Sequence, residues 1–191
     1  MAVEMLLLFT LLLCGSSCAA LRSLYSSDFK GPSPLWYEPE MVEHAMTLLR
    51  TFRTFTGRPL VELELESLSH EDAARALFFA DHVVLSHGTQ ADENGPILNY
   101  GNNAGLKLWG ATWEELTTMP SKRTAGPEDQ QARDATMDTV ARCGFVERYS
   151  GVRVALDGSK FRIEDVTIWN VFEDGRRIGQ AATFPRWTPL Q

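Results

Sequence analysis

The feature that most constrains the fold of this sequence is its C-terminal third, where extended segments alternate with tight turns. The segments "GFVERYSGVRVAL", "KFRIEDVTIWNVF" and "RIGQAATFPRW" are separated by Asp157-Gly158 and by Asp174-Gly175. Asp-Gly pairs in short connections favour β-hairpins. Residues 144–187 are therefore predicted to form a three-stranded antiparallel meander.

A stretch in the middle of the chain, "NYGNNAGLKLWGATWEELTTMPSKRTAG", has the pattern of a strand followed by two short helices. Asn102 or Asn103 can cap the first helix, which Gly110 would end. Thr112 can cap the second helix, because Glu115 follows it at the spacing of a capping box. A loop is predicted after these helices.

Two longer helices are predicted earlier in the chain. The first extends from Pro39 to Phe55 and stops at Gly57, and the second begins after Ser69 and continues to Ala80. An isolated helix of the first one's length is marginally stable in water, so its apolar stripe needs a partner. That partner is either the domain's own surface or a second copy, which makes a homodimer through this helix a hypothesis. The stripe comprises Val42, Met46, Leu49 and Phe52.

Two strands and one more helix complete the pattern. "HVVLSH" (82–87) predicts a short strand, "GTQADENG" (88–95) a loop, and Ile97–Tyr100 a second strand. Residues 127–143 predict a helix that leads into the meander. The thiol of Cys143, on the apolar stripe of that helix, is predicted to be buried. The stripe comprises Ala132, Ala135, Thr136, Val140 and Cys143.

The order of strand, short helices, connecting helix and three-stranded meander is that of a PAS-type domain. "VVLSHGTQADENGPILNYGNNAGLKLW", with "MPSKRTA", "YSGVRVALDGSKFRIEDVTIWNVF" and "GQAATFPRW", resembles the MEKHLA family, a PAS-related domain, over residues 36–187. The resemblance implies an α+β fold with a PAS-like antiparallel sheet and flanking short helices, here with an N-terminal helical extension. Plant members of the family are homeodomain–leucine zipper proteins. This sequence contains no homeodomain, so DNA binding does not follow from the resemblance.

The resemblance implies a sensory or interaction module. PAS-type folds enclose a cavity between sheet and helices, and their surfaces form dimers. Neither an enzymatic activity nor a known ligand comes with the resemblance, so the cofactor is left unknown. We therefore expect a non-catalytic domain, without catalytic residues, that binds a small apolar ligand or a protein partner. A small hydrolase or isomerase with a cone-shaped α+β fold is the alternative.

The first twenty residues differ from the rest of the chain. Met5–Cys14 is an apolar run too short to span a bilayer, and small residues follow it. This layout predicts a signal peptide over residues 1–20, followed by a linker over residues 21–35 that is rich in Ser, Gly and Pro. Entry into the secretory pathway is expected, ending in secretion or, in an alga that imports by that route, in a plastid. No membrane attachment is expected after cleavage.

The sequence has few residues arranged for catalysis or metal binding. Its net charge is −7 and its basic residues are dispersed, so no nucleic-acid partner is expected. His82 and His87, with Asp92 and Glu93 nearby, are the best candidate metal ligands. A strand would place the two histidines on opposite faces, and no metal site is predicted. Residues 99–126 contain no cysteine that could form a flavin adduct.

Two inward-facing amides are predicted in the meander. Gln180 falls on one face of the last strand with the bulky Phe184. In the preceding strand, Asn170 falls on the same side of the sheet if a bulge at Glu164-Asp165 shifts the alternation. That face of the preceding strand would comprise Val166, Ile168, Asn170 and Phe172.

A buried amide without a partner costs about 1–3 kcal/mol, so both amides need hydrogen-bond partners. In one interpretation, Asn170 and Gln180 bond to the backbone of residues 101–126 and hold that segment in place. In the other, they are the polar contacts of a ligand pocket. The apolar walls of that pocket would be Trp109, Ile168 and Phe184.

Overall fold

The computed structural model of the protein describes residues 35–62, 68–126 and 130–190. The predicted signal peptide and all but the last residue of the predicted linker lie outside the described residues, so both stay predictions. The elements in chain order are a 3-10 helix (Leu35–Tyr37), α1 (Pro39–Thr56), α2 (His70–Phe78), β1 (Val83–Asp92), β2 (Gly95–Gly101), α3 (Asn103–Trp109), α4 (Trp113–Thr117), a 3-10 helix (Ser121–Thr124), α5 (Gln130–Cys143), β3 (Phe145–Val154), β4 (Lys160–Glu173), β5 (Arg176–Phe184) and β6 (Arg186–Leu190).

The predicted caps set the two short helices. The side chain of Asn102 accepts a hydrogen bond from the backbone of Gly105 at 3.0 Å and so caps α3. Gly110 ends α3 with a φ of 62°, a conformation that glycine adopts without strain. Thr112 and Glu115 form the predicted capping box of α4. Local sequence signals therefore suffice to place both helices.

One antiparallel sheet of six strands carries these helices. Its strand order is β2-β1-β5-β4-β3, and β6 also pairs with β4. β5 pairs with β4 up to Thr183, opposite Thr167, while β6 begins opposite Glu164. β6 is therefore the continuation of β5 beyond Pro185.

The predicted bulge in β4 is confirmed. Tyr149 pairs with Val166 and Gly151 pairs with Ile163, so β4 has one more residue than β3 over this span. Asp165, in the bulge, has a φ of 53°. The extra residue restores the alternation that turns Val166 towards the cavity described below.

Three details of the sequence-based fold prediction are wrong. β1 extends to Asp92, so most of the predicted loop 88–95 is strand. Phe172 does not share the inward face: the register shifts after Val171, and Phe172 is exposed and contacts Phe55 of α1 at a ring distance of 6.1 Å.

The third error concerns α5, whose buried stripe differs from the predicted one. Ala132, Ala135 and Cys143 are exposed, whereas Arg133 and Val140 are buried. The prediction placed small apolar residues inside and arginine outside. The helix is rotated away from that arrangement, so the guanidinium of Arg133 enters the domain.

The outer face of the sheet is covered by α1. Trp169 of β4 is fully buried there, 5.0 Å from the ring of Phe52, and its Nε1 donates a hydrogen bond to Thr51 Oγ1 at 3.1 Å. The apolar stripe of α1 is thus buried against the domain's own surface, which is one of the two partners predicted for it. The need to bury this stripe therefore no longer argues for a homodimer through α1, because the domain's own sheet covers the stripe. The homodimer stays a prediction.

The inner face of the sheet is covered by α3, α5 and the intervening segment. Trp109 of α3 packs against Phe161 and Phe184, with ring centroids 5.1 and 6.3 Å away. Asn170 of β4 donates to the backbone oxygen of Val140 in α5 at 2.9 Å. The candidate site lies between these helices and the sheet.

Candidate functional site

A cavity of about 70 Å³ lies between the inner face of the sheet, α3, α5 and the 3-10 helix Ser121–Thr124. Most of its wall is apolar, and the polar residues that line it come from five different elements. The apolar lining comprises Leu85, Leu98, Trp109, Met137, Ile163, Val166, Ile168, Ala181, Ala182 and Phe184. The polar lining comprises Ser86, His87, Ser121, Thr124, Arg133, Arg153 and Gln180. An apolar pocket with a few convergent polar groups is the usual composition of a small-molecule site.

Four of the five residues predicted from the sequence line this cavity. They are Trp109, Ile168, Gln180 and Phe184. Asn170, the fifth, is buried behind Gln180 and does not line the cavity. Asn170 and Gln180 are direct register partners on β4 and β5, which is the neighbouring position that the alternation predicted.

The two amides bond to α5, which the sequence analysis did not foresee. Gln180 Nε2 lies 3.1 Å from Asn170 Oδ1 and 3.3 Å from the backbone oxygen of Met137. Asn170 Nδ2 in turn donates to Val140. The prediction that they would hold residues 101–126 is wrong, because the helix that crosses this part of the sheet is α5. The amides therefore fix the helix that carries Arg133 and Met137.

The indole of Trp109 has a polar atom without a partner. Trp109 is 1% exposed and lines the cavity. Among the described residues, none accepts a hydrogen bond from its Nε1. Buried polar groups are hydrogen-bonded in the great majority of cases, so this donor is an exception that calls for an acceptor.

Two arginines of the cavity were missed by the sequence analysis, and His87 was considered there only as a candidate metal ligand. Arg133 and Arg153 are each 6% exposed, and His87 lies between β2 and β5 with its ring towards Gln180. Burial lowers the pKa of His87, and the positive charge of Arg133 acts in the same direction. The only sequence signal was the heptad-like spacing of Arg133, Met137 and Val140 on one face of α5.

A larger hollow of about 480 Å³ lies beside α1 and the β4 bulge. Three of the charged side chains that line it form ion pairs at the surface, Arg58 with Glu147 and Asp165 with Arg186. Exposed ion pairs of this kind contribute little to the stability of a folded protein. The smaller inner cavity, with its buried polar groups, is the stronger candidate.

Neither a metal-binding cluster nor a membrane-spanning helix occurs among the described residues. Within residues 35–62, 68–126 and 130–190, no cluster of three or more His, Cys, Asp or Glu side chains could hold a metal ion. In the same part of the chain, no helix combines the length and apolar character needed to cross a bilayer.

Comparison with known proteins confirms the family. The model of the MEKHLA domain matches residues 42–189, more than half of the 191-residue chain. The chain belongs to the MEKHLA family. No curated protein matches it.

Solved structures show the same fold at low sequence identity. The MEKHLA domain is similar to the PAS domain of a protein from Colwellia psychrerythraea, with a TM-score of 0.52 and 16% identity, covering 59% of this chain and 92% of that one. It is also similar to an RNA-binding light-oxygen-voltage receptor, with a TM-score of 0.52 and 19% identity, covering 67% of this chain but 36% of that one. These likenesses confirm the predicted PAS-like α+β fold. The comparisons give no support to the hydrolase or isomerase alternative.

Proposed function

We propose that this MEKHLA domain is a non-catalytic sensory domain that binds a small molecule in the inner cavity. The observation that carries the proposal is the buried indole N–H of Trp109, which lines the cavity and has no acceptor among the described residues. A ligand with one acceptor atom at an otherwise apolar wall would satisfy it. PAS-type domains are generally sensory modules, which supports the choice of class.

The sheet and α5 offer a route by which occupancy would be sensed. Gln180 lines the cavity and bonds both to Asn170 and to the backbone of Met137. A ligand that competes for the amide of Gln180 would change how α5 is held on the sheet. Ligand binding would in this way alter the position or stability of α5.

The direct test is native mass spectrometry of the purified chain, followed by titration of the ligand that is found. Ala182→Leu adds bulk to the cavity wall, so it should abolish binding while the domain stays folded. Ala135→Leu makes the same change at an exposed position of α5 and should leave binding intact. Equal binding by the two variants would contradict a site in this cavity.

A second candidate, a protein-interaction module, is favoured by β6. Every residue of this strand is exposed, with Trp187 46% and Leu190 38% exposed. Within the described part of the chain, β6 pairs only with β4. An open strand edge with apolar side chains suits strand addition by a protein partner or a second copy. Sedimentation of the wild type and of the double variant Trp187→Ser, Leu190→Ser would show self-association through β6 if the variant alone is monomeric.

A further inference from the structure

The inner cavity contains two guanidinium groups that are almost completely removed from water. Arg133 of α5 and Arg153 of β3 both line the cavity, and both are 6% exposed. Burying a charge is costly unless an opposite charge and hydrogen bonds compensate it. The partners of each arginine therefore decide what the cavity is suited to hold.

Arg133 is only partly neutralised. Its Nη2 donates to Ser121 Oγ at 2.9 Å, and its Nη1 donates to Asp134 Oδ1 at 3.2 Å. Asp134 is half-exposed and also pairs with Lys122 through its other oxygen at 3.2 Å. Burial and the neighbouring Arg153 guanidinium both lower the pKa of Arg133, and the two arginines line the same cavity.

Arg153 has only neutral partners among the described residues. It donates to the backbone oxygen of Val152 at 2.8 Å and to Tyr149 Oη at 3.2 Å, and it lies over the Tyr149 ring at 5.4 Å. The absence of a side chain at Gly151 allows this arrangement, because a Cβ there would lie 3.0 Å from Arg153 Nη1. Within the described ranges, no carboxylate lies within ion-pair distance of Arg153, so no acidic side chain among these residues neutralises its charge.

We propose that the inner cavity binds a compact organic monocarboxylate, with its carboxylate between Arg133 and Arg153 and its apolar end against Ile168 and Phe184. This inference rests on the proposed function and names the ligand class for the same cavity. A planar guanidinium is suited to bidentate recognition of a carboxylate. Both guanidinium groups lie in a cavity whose remaining wall is mostly apolar. Such a cavity suits a ligand with one charged end and one apolar end.

Charge and volume favour a small monoanion over a phosphate. Asp134 compensates part of the charge of Arg133, so the two arginines present fewer than two uncompensated positive charges. A phosphate monoester carries a charge of about −1.5 to −2 at neutral pH and would be under-compensated. The cavity of about 70 Å³ is also smaller than the roughly 150 Å³ of an engineered cavity that holds benzene, so only a short carbon chain fits.

The test is titration calorimetry of the full chain with propionate and isobutyrate, set against their neutral amides, propionamide and isobutyramide. The acids should bind saturably and the amides at least tenfold more weakly, because an amide cannot supply the negative charge. Arg153→Gln should weaken binding of the acids at least tenfold. Arg162→Gln, at an exposed position of β4, is the matched control and should leave the affinity unchanged.

Arg153→Gln is also expected to fold, because it removes a buried charge that no described acidic side chain neutralises. Its ligand-free melting temperature should equal or exceed that of the wild type, while its shift with saturating propionate should disappear. Arg153→Lys keeps the charge but loses the planar fork and should bind the acids with intermediate affinity. A melting temperature of Arg153→Gln well below that of the wild type, with acid binding retained, would show a structural arginine and overturn the proposal.

Three other outcomes also overturn it. Amides that bind as tightly as the acids would leave the cavity a ligand site but refute the carboxylate. Inorganic phosphate that binds more tightly than propionate would indicate a phosphate site. A double variant of Glu128 and Asp129, which lie outside the described residues, tests for a negative charge supplied by the chain itself. If the double variant Glu128→Gln, Asp129→Asn melts lower than the wild type and saturating propionate restores it, the arginines' native partner is the chain. No binding of any probe, with no co-purifying molecule, would refute the proposed function itself.

Discussion

Each face of the sheet has one fully buried tryptophan, and the two faces differ in whether the indole N–H of that tryptophan has an acceptor. On the outer face, the indole N–H of Trp169 bonds to Thr51 and its ring packs on Phe52. On the inner face, the equally buried Trp109 has stacking partners but no acceptor among the described residues. Trp169 is thus paired within the chain, although the buried Tyr100 hydroxyl, beside α1, has no partner in the described part of the chain. The inner face differs in that its unpaired indole and its two buried arginines line a cavity. The difference separates what stabilises this domain from what a ligand would complete.

Histidines repeat the contrast. On the outer side, Ser86 donates to Asn99 Oδ1 at 2.7 Å, so His44 Nε2–H is the donor in its 2.9 Å bond to Ser86 Oγ. Burial lowers the pKa of His44 to about 4, so the ring is neutral at pH 7 and serves the packing of α1 on β1. On the inner side, His87 lies at the cavity wall beside Gln180 and within the field of Arg133.

The largest effect is expected from breaking the outer face. Trp169→Ala should lower the free energy of unfolding by about 3–5 kcal/mol, because it removes a fully buried aromatic ring and leaves a cavity under α1. Urea denaturation measures it. Trp187→Ala is the matched control at a half-exposed position and should cost less than about 1 kcal/mol. Similar losses for both variants would contradict the view that α1 on β4 is the main stabilising contact.

The next effect in size is a pH dependence from the outer face. Burial lowers the pKa of His44 to about 4, below its ordinary value of 6.5. The unfolded chain therefore takes up this proton at a higher pH than the folded chain does. Stability from His44 is complete above about pH 6.5 and declines as the pH falls towards 4, by up to about 3 kcal/mol.

Urea denaturation of the wild type and of His44→Gln at pH 7 and pH 4.5 isolates this contribution. Burial also lowers the pKa of His82 and His87, so some acid sensitivity should remain in the variant. His70→Gln, at an exposed position paired with Glu43, is the control for the loss of a surface histidine. If His44→Gln loses as much stability on acidification as the wild type does, His44 is protonated in the folded domain.

A smaller effect is expected at the amide pair of the inner face. Gln180→Leu removes the bonds to Asn170 and Met137 and should cost about 1–2 kcal/mol. If the pair only anchors α5, the amount of bound small molecule stays unchanged. If Gln180 also contacts a ligand, the co-purifying molecule is lost, as native mass spectrometry would show. A variant as stable as the wild type with the same ligand content would contradict both roles.

The sequence predicted the elements of both faces better than their contents. Caps at Asn102 and Thr112, and the bulge at Asp165, depend on local backbone chemistry that a short window contains. The inward position of Gln180 followed from strand alternation alone. The rotation of α5 did not follow, because it depends on contacts with β4 and β5 that are distant in sequence. Arg133 is buried by that rotation, and hydrophobic patterning assigned it to the surface.

The smallest effect is the one that tests the contrast most directly, a comparison of Trp109→Phe with Trp169→Phe. Both changes shorten a fully buried indole by the same atoms, so their packing costs should be similar. Trp169→Phe also loses the bond to Thr51, whereas Trp109→Phe removes a donor that has no partner. In ligand-free protein, Trp169→Phe should therefore be the more destabilised by about 1 kcal/mol. Thermal unfolding at several ligand concentrations then compares the two variants with ligand present. Trp109→Phe should lose the stabilisation that the ligand gives, and Trp169→Phe should keep it. Equal stability losses would mean that the Trp109 N–H is hydrogen-bonded within the folded chain in solution. The indoles of both faces would then be paired without a ligand.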